Sequence, residues 1–409
     1  MKHRFYTLLP VLICVFSWEC SGTATAQDFS VRGPCAVGYQ VIDAERPAGT
    51  YCRLYVYYPA TVAGRNQPID PERAPYPLVV FNSPVVPMVS YTETLAHLAS
   101  WGFVVVAPTN GFYQWPDQQA IARDLLFCRN YLHAENQRPE SPFFQMLNCD
   151  RNAFAGHSWG GSCDIIAGAE ADERLKVVVA WSLWPNSQPR PIDKVNHLCC
   201  PVLLFNGSED TAVPVTKVQS VYDAAAPSKA FFVLEGGGHN LFYDSKFWLP
   251  NAPPAEDRHL LPIARYFLTA ALRLYLCDQD DLWPIFWDPH THRQPNVDYT
   301  WDSGIQWAPH PVDISSAPGE TVEIPLTLTN LTKRKQAFDL EVDGSQWETT
   351  LTPNVTAELA PGTQSQVTLQ VKFPANPVHS SETLRVSARS QGDGHTRGVT
   401  RLTSRLRGE

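Results

Sequence analysis

The sequence predicts an α/β fold, a mostly parallel sheet of about eight strands flanked by helices, followed by a small all-β sandwich domain. Two observations predict it. From Cys35 to about Cys277, short β-branched apolar runs alternate with stretches of helical period, the pattern of a sheet covered on both faces. From Val312 onward, period-two runs are separated by Pro-Gly and Asp-Gly turns, which is how antiparallel strands read. At 409 residues the chain is long enough for one α/β domain and a smaller module.

The elements follow in order. Met1-Lys2-His3-Arg4, an apolar run from Tyr6 to Phe16 and Ala24-Thr25-Ala26 before Gln27 form the basic, apolar and small-residue regions of an export signal. Residues 1–26 are therefore expected to be a signal peptide, with the mature chain secreted or periplasmic. The apolar run is shorter than the roughly 20 residues that span a bilayer, and no later run is long enough, so a soluble exported protein is expected. Residues 27–277 read as the α/β domain, with strands at Leu54–Tyr58, Leu78–Phe81, Phe103–Ala107, Asn152–Ala155, Val177–Trp181, Val202–Asn206 and Ala230–Leu234. Helices are expected at Tyr91–Ser100, Gln118–Leu132, Cys163–Ala171 and Pro262–Leu276. Residues 278–310, rich in Trp, Pro, Asp and His, carry no helical or strand period. They read as a connector whose aromatics pack on the first domain. Residues 311–409 supply the sandwich.

Cys14 and Cys20 leave with the signal. The remaining Cys35, Cys52, Cys128, Cys149, Cys163, Cys199, Cys200 and Cys277 form an even set, which in an oxidising compartment points to disulfides. Cys35 with Cys52 and Cys128 with Cys149 are the nearest local pairs. No Cys-x-x-Cys stands beside a histidine pair, and His290-x-His292 with Asp288 falls in the connector, where a surface position is expected. No metal or other cofactor is expected. A net charge of −9 without a basic run excludes a nucleic-acid partner.

The chemistry is carried by Gly156-His157-Ser158-Trp159-Gly160-Gly161, which follows a short apolar strand and opens a helix. A strand, Gly-x-Ser-x-Gly and a helix make a nucleophile elbow, a turn so tight that residues flanking the serine must be small. A serine hydroxyl is a weak nucleophile and needs a histidine to take its proton and a carboxylate to orient that histidine. The strand Val202–Asn206 ends in Gly207-Ser208-Glu209-Asp210, which offers Asp210 as the acid with Glu209 as its neighbouring alternative. The next strand ends in Glu235-Gly236-Gly237-Gly238-His239, and a histidine on a glycine-rich loop at that sheet edge reaches the serine. His157, His197 and His259 read as structural. For the oxyanion, the backbone N–H of Trp159 is one donor. In Asn82-Ser83-Pro84-Val85-Val86-Pro87 the prolines lack N–H, so Val85 or Val86 must be the other, and Val86 is favoured. Val85, Tyr113, Trp115, Trp184, Phe242 and Tyr243 fall on loops at the same edge and are expected to line an apolar acyl or aryl cleft beside Trp159.

Tyr76–Phe81, Tyr91–Pro108 and Gly156–Gly161 resemble the dienelactone-hydrolase-related serine esterases of the α/β-hydrolase superfamily: cutinases and polyester hydrolases, chlorophyllases and platelet-activating-factor acetylhydrolases. The likeness spans roughly Tyr51 to Leu276. It implies an α/β-hydrolase fold and carboxylic ester hydrolysis. In polyester hydrolases a Ser-Pro-Gly-aromatic loop supplies the second oxyanion donor, Met follows the serine and Trp follows the next strand. Here Ser83-Pro84 and Trp184 match, while Val85, Val86 and Trp159 depart at the aryl subsite. The Ala317-Pro318-Gly319-Glu320 opening and the Leu359-Ala360-Pro361-Gly362 turn resemble the immunoglobulin-like modules appended to exported hydrolases.

The residues thus imply a monomeric serine esterase acting through an acyl-enzyme on a small-molecule, lipid or polymeric ester. An acetylhydrolase-like or chlorophyllase-like esterase is the alternative within the fold. A binding protein with a degenerate hydrolase domain, anchored to a surface or polymer through the sandwich, is the alternative outside it. Arg401, Thr403, Arg405 and Arg407 share one face of the last strand, where they guard an edge or meet an acidic partner.

Overall fold

The computed structural model describes residues 27–82, 88–109, 117–186, 188–244, 259–288, 294–376 and 378–407. Its apolar runs collect into one sheet. In chain order the strands are β1 (Val37–Glu45), β2 (Tyr51–Pro59), β3 (Gly64–Arg65), β4 (Tyr76–Asn82), β5 (Val104–Thr109), β6 (Leu147–His157), β7 (Leu175–Trp181), β8 (Val202–Gly207), β9 (Lys229–Leu234) and β10 (Val297–Asp302). In space they run β3-β1-β2-β5-β4-β6-β7-β8-β9-β10. The block from β5 through β4, β6, β7, β8 to β9 is parallel, and β1, β2 and β10 attach antiparallel at its flanks.

A parallel strand is covered on both faces, which explains why every residue of β4 and β8 is buried. Helices α1 (Thr92–Ser100), α2 (Gln118–Glu135), α3 (Trp159–Gly168), α4 (Pro191–Lys194), α5 (Val215–Ala224) and α6 (Leu261–Cys277) supply the cover. α1 and α6 close one face over Phe81, Trp181, Phe205 and Phe232. α2, α3 and α5 close the other over Leu78, Val80, Phe154 and Leu204.

The sheet has ten strands where about eight were expected. β3 is a two-residue edge, and β10 comes from the stretch read as an irregular connector. There Val297, Tyr299 and Trp301 alternate with Asp298, Thr300 and Asp302 along β9. The preceding helix α7 (Pro284–Trp287) is buried throughout, so the connector aromatics complete the α/β core. Asp288, expected at the surface, is instead buried in ion pairs with Arg401 (2.6 Å) and Arg385 (3.4 Å). His290 and His292 lie outside the described residues.

The chain then enters a β-rich region of β11 (Ile305–Ala308), β12 (Val312–Ser316), β13 (Thr321–Asn330), β14 (Phe338–Asp343), β15 (Glu348–Thr352), β16 (Gln364–Lys372), β17 (Ser381–Ser390) and β18 (Arg397–Leu406). They form two four-stranded sheets, β11-β13-β16-β15 and β12-β18-β17-β14, sharing a core of Trp307, Leu326, Leu328, Phe338, Leu369 and Val386.

The local disulfides expected from sequence are not made: all eight described cysteines are free thiols. Sequence neighbours face different ways. Cys52 on β2 turns into the core and hydrogen-bonds Cys128 of α2. Cys35 accepts from Arg73 at 3.3 Å, and Cys149 from Asn136 at 3.5 Å.

Candidate active site

β6 carries the chain to the carboxyl edge of the sheet and stops at a residue with an unusual backbone. Ser158 sits at φ 57°, ψ −121°, in the left-handed range that an L-residue occupies only when its surroundings hold it there. The surroundings do so. Its N–H donates to the Trp181 carbonyl (2.8 Å) and its carbonyl accepts from Trp184 (2.9 Å), pinning the turn to the end of β7. A Cβ on Gly156 would fall 2.5 Å from the Asn82 carbonyl oxygen and 3.0 Å from the Gly160 carbonyl carbon, so only glycine fits. α3 begins at the next residue, which sets Trp159 in its first turn, where helical N–H groups point outward.

The two loops that follow bring the other groups to the same place. Beyond β8, Asp210 accepts the Val213 N–H on Oδ1 (2.7 Å), and Oδ2 lies 2.8 Å from His239 Nδ1. Beyond β9, Gly236 and Gly237 turn the chain back, the former at φ 75°. His239 then directs Nε2 to Ser158 Oγ at 3.0 Å. The loops are laced together: Glu209 N–H donates to the Gly237 carbonyl (2.8 Å), and Gly236 N–H to Ser208 Oγ (2.8 Å). Asp210 and His239 are buried, whereas Glu209 is exposed and turned away.

Trp159 is buried and lies parallel to the half-buried Trp184, centroids 6.2 Å apart and planes at 10°. Phe242 and Tyr243, expected on the cleft wall, are instead core residues. The short 3₁₀ turn His239–Phe242 rolls them inward, and Phe242 stacks on Trp181 at 5.0 Å while Tyr243 packs on Tyr91 at 5.5 Å. Val85, Val86, Tyr113 and Trp115 lie outside the described residues.

Several supporting residues had no motif to announce them. Asn206 takes a hydrogen bond from Ser182 (2.5 Å) and donates to the Val213 carbonyl (2.9 Å), bracing the turn that holds Asp210. Its only sequence signal is its place at the end of a strand before that turn. Asp244 ties the histidine loop to α1, accepting from Glu93 N–H (2.6 Å), Thr94 N–H (3.0 Å), Thr94 Oγ1 (2.6 Å) and Arg265 (2.7 Å). A carboxylate from elsewhere in the chain thus serves the first N–H groups of a helix that has no cap of its own.

Among the described residues, then, a hydroxyl, an imidazole and a carboxylate stand in hydrogen-bond sequence at the carboxyl end of a parallel sheet. That arrangement allows the imidazole to accept the hydroxyl proton while the carboxylate holds its tautomer. A search of curated proteins finds no match to the chain. A profile described as PET hydrolase-like matches residues 23–250, which carry β1 to β9 and the loops bearing Ser158, Asp210 and His239. That is more than half of the sequence, and the protein belongs to the PET hydrolase-like family.

Proposed function

We propose that the protein is an exported serine carboxylic ester hydrolase in which Ser158 is the nucleophile, His239 the general base and acid, and Asp210 the residue that orients His239. The observation that carries this reading is the hydrogen-bond chain Asp210 Oδ2 to His239 Nδ1 (2.8 Å) and His239 Nε2 to Ser158 Oγ (3.0 Å).

Ser158 Oγ attacks the ester carbonyl as its proton passes to His239 Nε2, giving a tetrahedral oxyanion. Two backbone N–H groups, those of Trp159 and, in our assignment, Val86, receive the negative charge. The oxyanion collapses, the bond to the alcohol oxygen breaks, and His239 returns its proton to the leaving alkoxide. Water then attacks the acyl-enzyme by the same route, releasing the acid and restoring Ser158. Asp210 stays ionised throughout and stabilises the imidazolium. Trp184 stacked on Trp159 offers an apolar surface, to which our reading of the sequence adds Val85, Tyr113 and Trp115, so esters with apolar acyl or aryl groups suit the site.

The two C-terminal sheets we read as an immunoglobulin-like sandwich appended to this catalytic domain, and residues 1–26 as the signal that exports both. Replacing Ser158 by Ala should reduce p-nitrophenyl ester hydrolysis by about 10⁵-fold or more and abolish fluorophosphonate labelling. Retention of either activity refutes the assignment.

A further inference from the structure

The residue before the nucleophile is placed for a task that the triad does not describe. His157 ends β6 with no exposed surface, on the side of Ser158 that faces the core. Its Nδ1 lies 2.6 Å from the hydroxyl of Tyr91, which closes the short helix leading into α1. Its ring lies under His239, centroids 4.6 Å apart and planes at 41°, and is enclosed by Phe242 at 5.1 Å and Tyr243 at 5.0 Å. A ring N–H is oriented towards the backbone carbonyl of His239, while Nε2 makes no full hydrogen bond. Tyr243 in turn hydrogen-bonds Tyr91. The ring that must align with Ser158 therefore rests on a second imidazole, whose own orientation is set by a tyrosine hydroxyl.

Two physical facts give this contact a function. Burial and the neighbouring His239 both push the basicity of His157 far below that of an ordinary histidine, so it stays neutral and does not oppose the positive charge His239 gains during proton transfer. In addition, a side chain directed at a reacting atom is only as precise as the groups that lock it, and a misplacement of about 1 Å can cost about 100-fold in rate. Asp210 fixes one edge of the His239 ring; without support from below, the ring could still tilt about that hydrogen bond.

We propose that His157, oriented by Tyr91, is a positioning residue that seats the ring and backbone of His239 so that Nε2 meets Ser158 Oγ. It touches neither substrate nor the reacting oxygen, and it rests on the reading of His239 as the base.

The test uses the full chain with three substitutions: Tyr91→Phe, which deletes one oxygen; His157→Phe, which keeps a ring without nitrogen; and His157→Gln, which keeps an N–H. Tyr91→Phe and His157→Phe should each lower kcat by about 10- to 100-fold at unchanged KM and slow fluorophosphonate labelling in parallel. Both should also move the downfield proton resonance of the His239–Asp210 hydrogen bond. His157→Gln should recover part of the lost kcat. If His157→Phe does not fold, Tyr91→Phe alone decides. The proposal is overturned if kcat stays within about twofold of wild type with the resonance unmoved. It is equally overturned if lost activity merely tracks a smaller folded fraction. Ser158→Ala is assayed alongside, because hydrolysis surviving that change would be a failure of the triad reading rather than of the role given to His157.

Discussion

Two histidines of this chain are held by aspartates at opposite ends of the parallel strands, and the kind of hydrogen-bond partner they meet differs at a single ring nitrogen. His239, beyond the carboxyl ends, meets Asp210 through Nδ1 and a serine hydroxyl through Nε2. His395, on the turn between β17 and β18, meets Asp280 through Nδ1 (3.3 Å) and Asp278 through Nε2 (3.0 Å). It lines a charged cavity of about 940 Å³ with Asp150, Lys176 and Cys199, which belong to segments at the amino ends of β6, β7 and β8. Both carboxylates face the His395 ring as hydrogen-bond acceptors. A hydroxyl partner can give its proton up; a second carboxylate can only hold the ring as it is. The same two residue types therefore build, at one end of the sheet, the site to which we assign proton transfer and, at the other, a clasp to the β-rich region.

The strongest way to break that comparison is to exchange each aspartate for asparagine. Asp210→Asn should leave the fold intact yet lower kcat by about 10⁴-fold, because an amide stabilises the wrong tautomer and cannot offset the imidazolium charge. Asp280→Asn should leave kcat unchanged. Steady-state kinetics on a soluble ester decides, and a large kcat loss in the second variant would show that the far face is coupled to the chemistry.

How much of this was legible in the sequence follows from how local each signal is. The elbow could be read because strand, glycines, serine and helix lie within a few turns of chain, and the acid and histidine because each follows an apolar strand. The support beneath them could not. Tyr91 and His157 are 66 positions apart, and Asp244 reaches α1 across 150. β10 is obscured by its own aspartates and by the prolines of the stretch around it although Val297, Tyr299 and Trp301 already alternate, because an edge strand with one partner needs apolar residues on only part of its length. Phe242 and Tyr243 were misplaced because loop residues beside a catalytic histidine suggest a cleft wall, whereas a 3₁₀ turn reverses their direction. Cysteine pairing failed for the same reason: chain proximity does not specify which face a residue occupies.

A third histidine sharpens the contrast because no carboxylate holds it. His97 on α1 is buried, with Nε2 3.0 Å from Thr269 Oγ1. Burial, with smaller contributions from Arg265 and Arg32, pushes its pKa down from 6.5 to about 3. The folded state therefore binds this proton less readily than the unfolded chain, so the associated stability is complete above pH 6.5 and is lost as pH falls towards 3. His97→Asn should be the less stable protein at neutral pH through lost packing. Its deficit relative to wild type should shrink by about 3 kcal/mol between pH 7 and pH 4, measured by urea unfolding. A deficit independent of pH would mean that His97 is not held neutral.

The smallest effect belongs to His395, and its direction separates clasp from catalyst. Arg397, itself buried, joins the same carboxylates by pairing with Asp280 and with Glu341 at 2.9 Å, while Arg151 holds Asp278 at 2.8 Å. Asp278 is half exposed, so solvent screens part of what its bond to His395 contributes, and the remaining ion pairs persist when the imidazole is removed. Glutamine at this position has its donors on a single nitrogen, so it does not reproduce the two-edged contact of the ring with both carboxylates. His395→Gln should therefore lower unfolding stability by about 1–2 kcal/mol, less at high salt, with kcat and KM unchanged. Because the clasp joins the end of α6 to the β17–β18 turn, the loss should appear first as faster hydrogen exchange in those two segments. Equal protection there in both proteins, or a kcat change at unaltered stability, would remove the distinction between the two ends of the sheet.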